Sequence, residues 1–267
     1  MSGTLAEAFD RARSQGRAAL IGYLPAGFPS AAGSVALITA MVEAGVDVVE
    51  VGLPYSDPLM DGPDIQAAVE RALAAGTTTD VVLDTVAQVT AAGATAVVMS
   101  YWNPIERYGV DAFAQRLADA GGRGVITPDL TVEEAGPWLA ASQVHGLDRI
   151  FLVAPSSSDE RISRVVSATS GFLYAASTMG VTGARTSVSS AAPALVARCR
   201  PRTDLPIAVG LGVSTGPQAA EVAAYADGVI VGSAFVRRVL AAPDLDAACA
   251  EVSALARELA AGVRGTA

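Results

Sequence analysis

The chain has 267 residues, 51% of them apolar, which is enough for one large core, and its net charge of −9 argues against nucleic-acid binding. It contains no lysine, so all 18 basic residues are arginine, and it has a single histidine, His145. Schiff-base aldol chemistry, a lysine-anchored pyridoxal phosphate and a histidine-rich metal site are therefore outside its reach. The two cysteines, Cys199 and Cys249, form no CxxC pair and read as inert thiols. The first 15 residues are amphipathic and mixed in charge rather than signal-like, and no run of about 20 apolar residues suggests a membrane span. A cytoplasmic location is expected, with no metal, nucleic-acid or membrane partner.

In chain order, a helix over residues 5–14 precedes the first strand, 19–24, which carries Tyr23 near its end. A helix over 30–44 leads to the second strand, 46–51, and two helices follow it, at 64–75 and 79–92. Strands at 96–100, 124–127 and 149–153 alternate with helices at 111–120, 132–143 and 159–168. The sixth strand, 172–175, carries Tyr174, and the helix after it covers 189–198. Strands at 207–209 and 228–231 flank a helix at 217–224; a short helix over 234–240 and a final one over 245–260 close the chain. Ser30, Thr131 and Thr215 are the expected helix caps. Eight strands, each followed by a helix, predict an α/β fold of the (β/α)8 TIM-barrel class spanning residues 1–267 as one domain. It would carry an extra N-terminal helix and extra helices after strands two and eight. An open doubly wound sheet is the alternative; the absence of GxGxxG after the first strand counts against its dinucleotide-binding form.

The second strand and its loop read VEVGLPYSDPLMDGPDIQ. By the two-residue period, Val48, Glu50 and Gly52 share the inward face, so Glu50 points into the barrel near the rim where barrel enzymes keep their chemistry. Burial should raise its pKa, which suits a group that both donates and accepts a proton. The competing reading is a structural glutamate paired with an arginine or with backbone groups. Asp57 and Asp61 follow in turn-forming contexts, so each reads as a turn former or as part of a carboxylate cluster around Glu50. Glycine-bearing stretches follow the last three strands: Gly180–Gly183, Gly210–Ser214, and Gly232–Ser233 at the start of a helix. Backbone N–H groups at such places can hold a phosphate without lysine.

These motifs together resemble the tryptophan synthase α subunit family. The likeness covers nearly the whole chain: YLPAGFP after the first strand, VEVGLPYSDPLMDGPDIQ at the second, SYWNPIERYG after the third, PDLTVEE after the fourth, GVTGAR after the sixth, VGLGVS after the seventh and VGSAFV after the eighth. The resemblance implies retro-aldol cleavage of indole-3-glycerol phosphate to indole and glyceraldehyde 3-phosphate. It implies Glu50 as general acid/base and Asp61 as the carboxylate that binds the indole N–H. It further implies Tyr23, Tyr174, Thr182, Gly183, Gly212, Gly232 and Ser233 as substrate-binding positions. No cofactor is implied in this chain. The expected partner is a pyridoxal-phosphate β subunit in an α2β2 heterotetramer, met at Asp57, Pro58 and Asn103. The chain departs from the common pattern at Phe28, Thr131 and Thr178, where many members carry aspartate, proline and arginine. Three other readings compete: a stand-alone lyase releasing free indole, which the same residues could support; a non-catalytic subunit that only activates β, against which intact Glu50 and Asp61 argue; and a ring-closing indole-glycerol-phosphate synthase on the same barrel. The last relies on lysine, which this chain lacks.

Overall fold

The computed structural model describes residues 3–176, 191–210 and 212–265. Its strands are β1 (Ala19–Pro25), β2 (Val48–Gly52), β3 (Ala96–Met99), β4 (Gly124–Ile126), β5 (Asp148–Ile150), β6 (Leu152–Val153), β7 (Leu173–Ala176), β8 (Ile207–Gly210) and β9 (Gly228–Val231). Every pairing is parallel, in the order β5-β4-β3-β2-β1-β9-β8-β7-β6. The two ends of that order, β5 and β6, are halves of one strand joined through Phe151, so the chain itself closes the ring. The fold is the expected TIM barrel, with the expected fifth strand split in two. β5 pairs with β4 and β6 with β7. β4 stops at Ile126 and the chain bends at Pro128–Asp129, so Leu152 has no β4 residue beside it.

Period-two patterning sorts the side chains into two layers. Val49 and Val51 pack outward among the helices, while Val48, Val97, Ile126, Ile150, Ala208 and Ile230 fill the barrel. Helix α1 (Leu5–Ser14) seals the end of the barrel opposite the strands' C-termini. Thr4 and Glu7 form a reciprocal capping box, and Leu5, Ala8, Phe9 and Ala12 are buried in the inner cluster. The Phe9 ring lies 5.5 Å from that of Phe172.

The remaining helices are α2 (Ala31–Glu43), α3 (Pro63–Ala74), α4 (Thr79–Ala91), α5 (Trp102–Tyr108), α6 (Val110–Asp119), α7 (Gly136–His145), α8 (Asp159–Ala168), α9 (Ala191–Cys199), α10 (Gly216–Ala223), α11 (Ser233–Ala241) and α12 (Leu245–Gly262). Ser30 and Thr215 cap α2 and α10 as expected. Thr131 does not cap a helix: α7 begins at Gly136 with Pro137 in its first turn, and residues 131–135 form a turn closed by the Glu134 N–H donating to the Thr131 carbonyl at 3.1 Å. Proline's fixed φ suits a first helical turn and moves the start downstream. α5 is an additional helix in the segment after β3; Pro104 sits in its first turn, where a missing N–H costs nothing. Among the described residues, no helix is long and apolar enough to cross a membrane.

Candidate active site

Glu50 stands on the inner face of β2, beside Tyr23 of β1 and Val97 of β3 in the ladder. It is only 2% exposed, and among the described residues its Oε1 has no hydrogen-bond partner. No salt bridge reaches it among the described residues, so no described arginine supports the structural reading of this glutamate. Loss of hydration alone pushes its pKa up to about 8. At neutral pH the carboxyl is therefore mainly protonated and able to donate.

Asp61 comes from the loop between β2 and α3. Its Oδ1 accepts a hydrogen bond from the Tyr101 hydroxyl at 2.9 Å, and the same hydroxyl accepts the Met60 N–H at 2.9 Å. The Gln66 side-chain amide donates to the Asp61 carbonyl at 2.7 Å. Partial burial raises the Asp61 pKa, and the Tyr101 hydrogen bond opposes the rise. The Tyr101 phenol is pushed far up by burial and by Asp61.

These groups line an open cavity at the C-terminal ends of the strands. Tyr23, Tyr174, Gly212, Gly232 and Ser233 join Glu50 and Asp61 in its wall, and Leu53, Ile65, Met99 and Ile230 give it an apolar middle. Both tyrosines, Tyr174 buried and Tyr23 partly so, rest over glycines of the next strand. A Cβ on Gly52 would lie 2.5 Å from the Tyr23 hydroxyl, and one on Gly210 would lie 2.2 Å from the Tyr174 hydroxyl. Burial raises both phenols far above their ordinary range; Asp61 and Glu50 add to the effect at Tyr23, and Glu50 adds to it at Tyr174. Gly212 has φ +96°, and Gly232 and Ser233 form the N-terminus of α11, whose first amides carry partial positive charge. Thr182 and Gly183 lie outside the described residues.

Asp57 is separate from this cavity: it is exposed and accepts a hydrogen bond from Ser56 Oγ at 2.5 Å. The cluster of three carboxylates weighed from the sequence is thus a pair, Glu50 and Asp61. Pro58 lies on the same outer loop, and Asn103 is exposed on α5. Tyr101 was not singled out from the sequence. Its position directly after the third strand's C-terminal end is the signal that marks it. His145, at the end of α7, pairs with Asp111 at 3.0 Å, away from the cavity.

The cavity wall thus combines a proton donor, a carboxylate, apolar side chains and the backbone N–H groups of a helix start. That suits a flat aromatic group with an N–H at one end of a molecule and an anion at the other.

A family model described as tryptophan synthase alpha chain matches residues 9–264. The tryptophan synthase alpha chain of Thermobifida fusca is 63% identical over 259 residues, covering 96% of each chain. A chain of the Mycobacterium tuberculosis tryptophan synthase structure superposes with a TM-score of 0.92 at 56% identity, covering 99% of each chain. The tryptophan synthase subunit alpha of Legionella pneumophila superposes with a TM-score of 0.87 at 33% identity, covering 98% of each.

Proposed function

The chain belongs to the tryptophan synthase alpha chain family, and on that premise we propose how its cavity performs the reaction. The activity is the family's: cleavage of indole-3-glycerol phosphate within tryptophan biosynthesis. Glu50, protonated, gives its proton to indole C3. The ring becomes an indoleninium ion, and Asp61, ionised, accepts a hydrogen bond from its N–H and balances the positive charge. The Glu50 carboxylate then takes the proton of the hydroxyl on the adjoining side-chain carbon. As that oxygen becomes an aldehyde, the bond between this carbon and C3 breaks and its electron pair returns to the ring. Indole and glyceraldehyde 3-phosphate leave, with Glu50 protonated again. The indole serves as its own electron sink, so neither lysine nor a cofactor in this chain is required.

Tyr23 and Tyr174 flank the reacting carbon. Gly212, Gly232 and Ser233, together with Thr182 and Gly183, hold the phosphate end. The partner is a β subunit; we assign to the pair an α2β2 assembly in the cytoplasm, with pyridoxal phosphate confined to β and docking through Asp57, Pro58 and Asn103. The whole chain, 1–267, acts as one barrel domain.

One observation carries this reading: Glu50 is buried with no partner for Oε1 among the described residues, in the same cavity wall as Asp61. The test is indole release from indole-3-glycerol phosphate, with and without β subunit. A large rise on adding β is expected. Equal rates with and without β would favour a stand-alone lyase, and no turnover even with β would favour a non-catalytic activator. Near-normal cleavage by Glu50→Gln would sink the assignment of the proton carrier.

A further inference from the structure

The Tyr101 side chain does more than line the cavity. The residue is 6% exposed and stands where β3 gives way to α5. Its hydroxyl is fully used: it accepts the Met60 N–H and donates to Asp61 Oδ1, both at 2.9 Å. Its ring lies 5.3 Å from that of Tyr55, at the other end of the same loop. One phenol thus grips the β2–α3 loop at three points. Among the described residues, Asp61 Oδ2 accepts no hydrogen bond.

The same phenol stands between two exposed surfaces. On one side, Met60 follows Asp57, Pro58 and Leu59, the last 74% exposed. On the other, Asn103 is two residues along α5, whose first amide, Trp102 N–H, is anchored by Asp129 Oδ1 at 2.9 Å. A shift of the outer loop relative to α5 must stretch or compress the Met60–Tyr101–Asp61 chain, because each hydrogen bond weakens steeply with poor distance or angle.

From this we infer that Tyr101 is a positioning residue: it sets the orientation of Asp61 and carries the partner's docking on the outer loop and α5 to that carboxylate. The inference rests on the proposed roles of Asp61 and of the docking surface. Tyr101 touches no reacting atom in it; it acts through Asp61.

Tyr101→Phe tests it, since the ring and its packing on Tyr55 stay while both hydrogen bonds go. Steady-state cleavage of indole-3-glycerol phosphate is measured across pH, with and without β subunit, beside Asp61→Ala. Loss of one hydrogen bond to a charged group predicts a fall of about tenfold to a hundredfold in kcat, with KM little changed. The acid limb of the profile should move to higher pH, because the Tyr101 hydrogen bond holds the Asp61 pKa down against burial. Tyr23 and Glu50 are the other titratable groups facing this corner, and both remain in place in the variant. The stimulation by β should shrink by at least severalfold. A wild-type kcat, or a fall in kcat with an unmoved acid limb, overturns the positioning role. A normal stimulation ratio overturns the transmission. Near-normal cleavage by Asp61→Ala would show instead that the underlying reading of Asp61 had failed.

Discussion

The Tyr174 hydroxyl fills the space in which a side chain at Gly210 would begin, 2.2 Å from where a Cβ would stand. Tyr23 and Gly52 repeat the relationship on the opposite side of the barrel, at 2.5 Å. In both pairs the tyrosine leans over the neighbouring strand toward a glycine in its ladder, β1 over β2 and β7 over β8. These two glycines are needed for the room they leave, with no call on unusual backbone angles.

Gly210→Ala should therefore displace the Tyr174 ring rather than unfold the barrel, since overpacking costs about 1–3 kcal/mol. We expect a cooperative unfolding transition at slightly lower denaturant and a cleavage rate reduced at least as far as in Tyr174→Phe. Denaturant melts and steady-state kinetics on both variants check this. A Gly210→Ala enzyme with wild-type kcat/KM would show that Tyr174 does not need its present place.

If Glu50 acts as proposed, cleavage should decline as pH rises through about 8, where it loses the proton that the proposed mechanism uses first. The kcat/KM profile tests this directly, and its alkaline limb should vanish in any variant whose rate no longer depends on that proton.

The same group links pH to stability. The folded-state pKa of Glu50, about 8, lies above its ordinary 4.5, so the folded protein holds a proton that the unfolded chain has released. The contribution of Glu50 to stability is complete below pH 4.5 and falls as pH rises toward 8. Glu50→Gln keeps the shape without the ionisation. It should be more stable than the parent by a few kcal/mol at pH 8 and close to it at pH 4.5. Urea unfolding at the two pH values measures the difference, and equal gains at both would contradict the linkage.

Far from the cavity, Arg17 and Asp47 form a bidentate pair at 2.6 and 2.8 Å, with side chains 4% and 7% exposed. Asp47 also accepts the Leu20 N–H at 2.9 Å, pinning the entry to β1. Removing the cation by Arg17→Met leaves a buried carboxylate unpaired and should cost about 3–5 kcal/mol. Its double variant with Asp47→Asn should recover much of that loss. Chemical denaturation of the parent, Arg17→Met, Asp47→Asn and the double variant gives the coupling, and additive losses would argue against it.

Leu59, beside Asp57 and Pro58, is the prominent apolar side chain on the outer loop at 74% exposure. Leu59→Asp should weaken β-subunit binding roughly tenfold or more, the usual effect of losing one interface anchor. Titration of β against the stimulated cleavage rate reads the shift, and an unchanged midpoint would remove Leu59 from the interface.

Much of this architecture could be read before any coordinates. Alternation within VEVG placed Glu50 inward and the flanking valines outward, as found. Glycines after the last two strands marked Gly212, Gly232 and Ser233, and these do line the cavity. Thr182 and Gly183 fall outside the described residues. The misses have local causes. Thr131 looked like a cap because cap chemistry is local, but Pro137 competes for the helix start. α5 was hidden by Pro104, which reads as a breaker unless its place in the first turn is known. The fifth strand looked continuous because a strand's partner, not its own composition, decides where its ladder ends.

By itself the sequence determined the order of elements, the inward face of each strand, and the absence of any lysine amine to make a Schiff base. These are local or compositional properties, encoded in spacing and residue type. Only the tertiary structure decided that Tyr101 reaches Asp61 from 40 residues away, that Asp57 faces outward while Asp61 faces in, and that Glu50 finds no partner for Oε1 among the described residues. Each of these depends on which groups meet after the chain has closed into a ring. Hydration, charge and hydrogen bonding are set by those neighbours rather than by position along the chain.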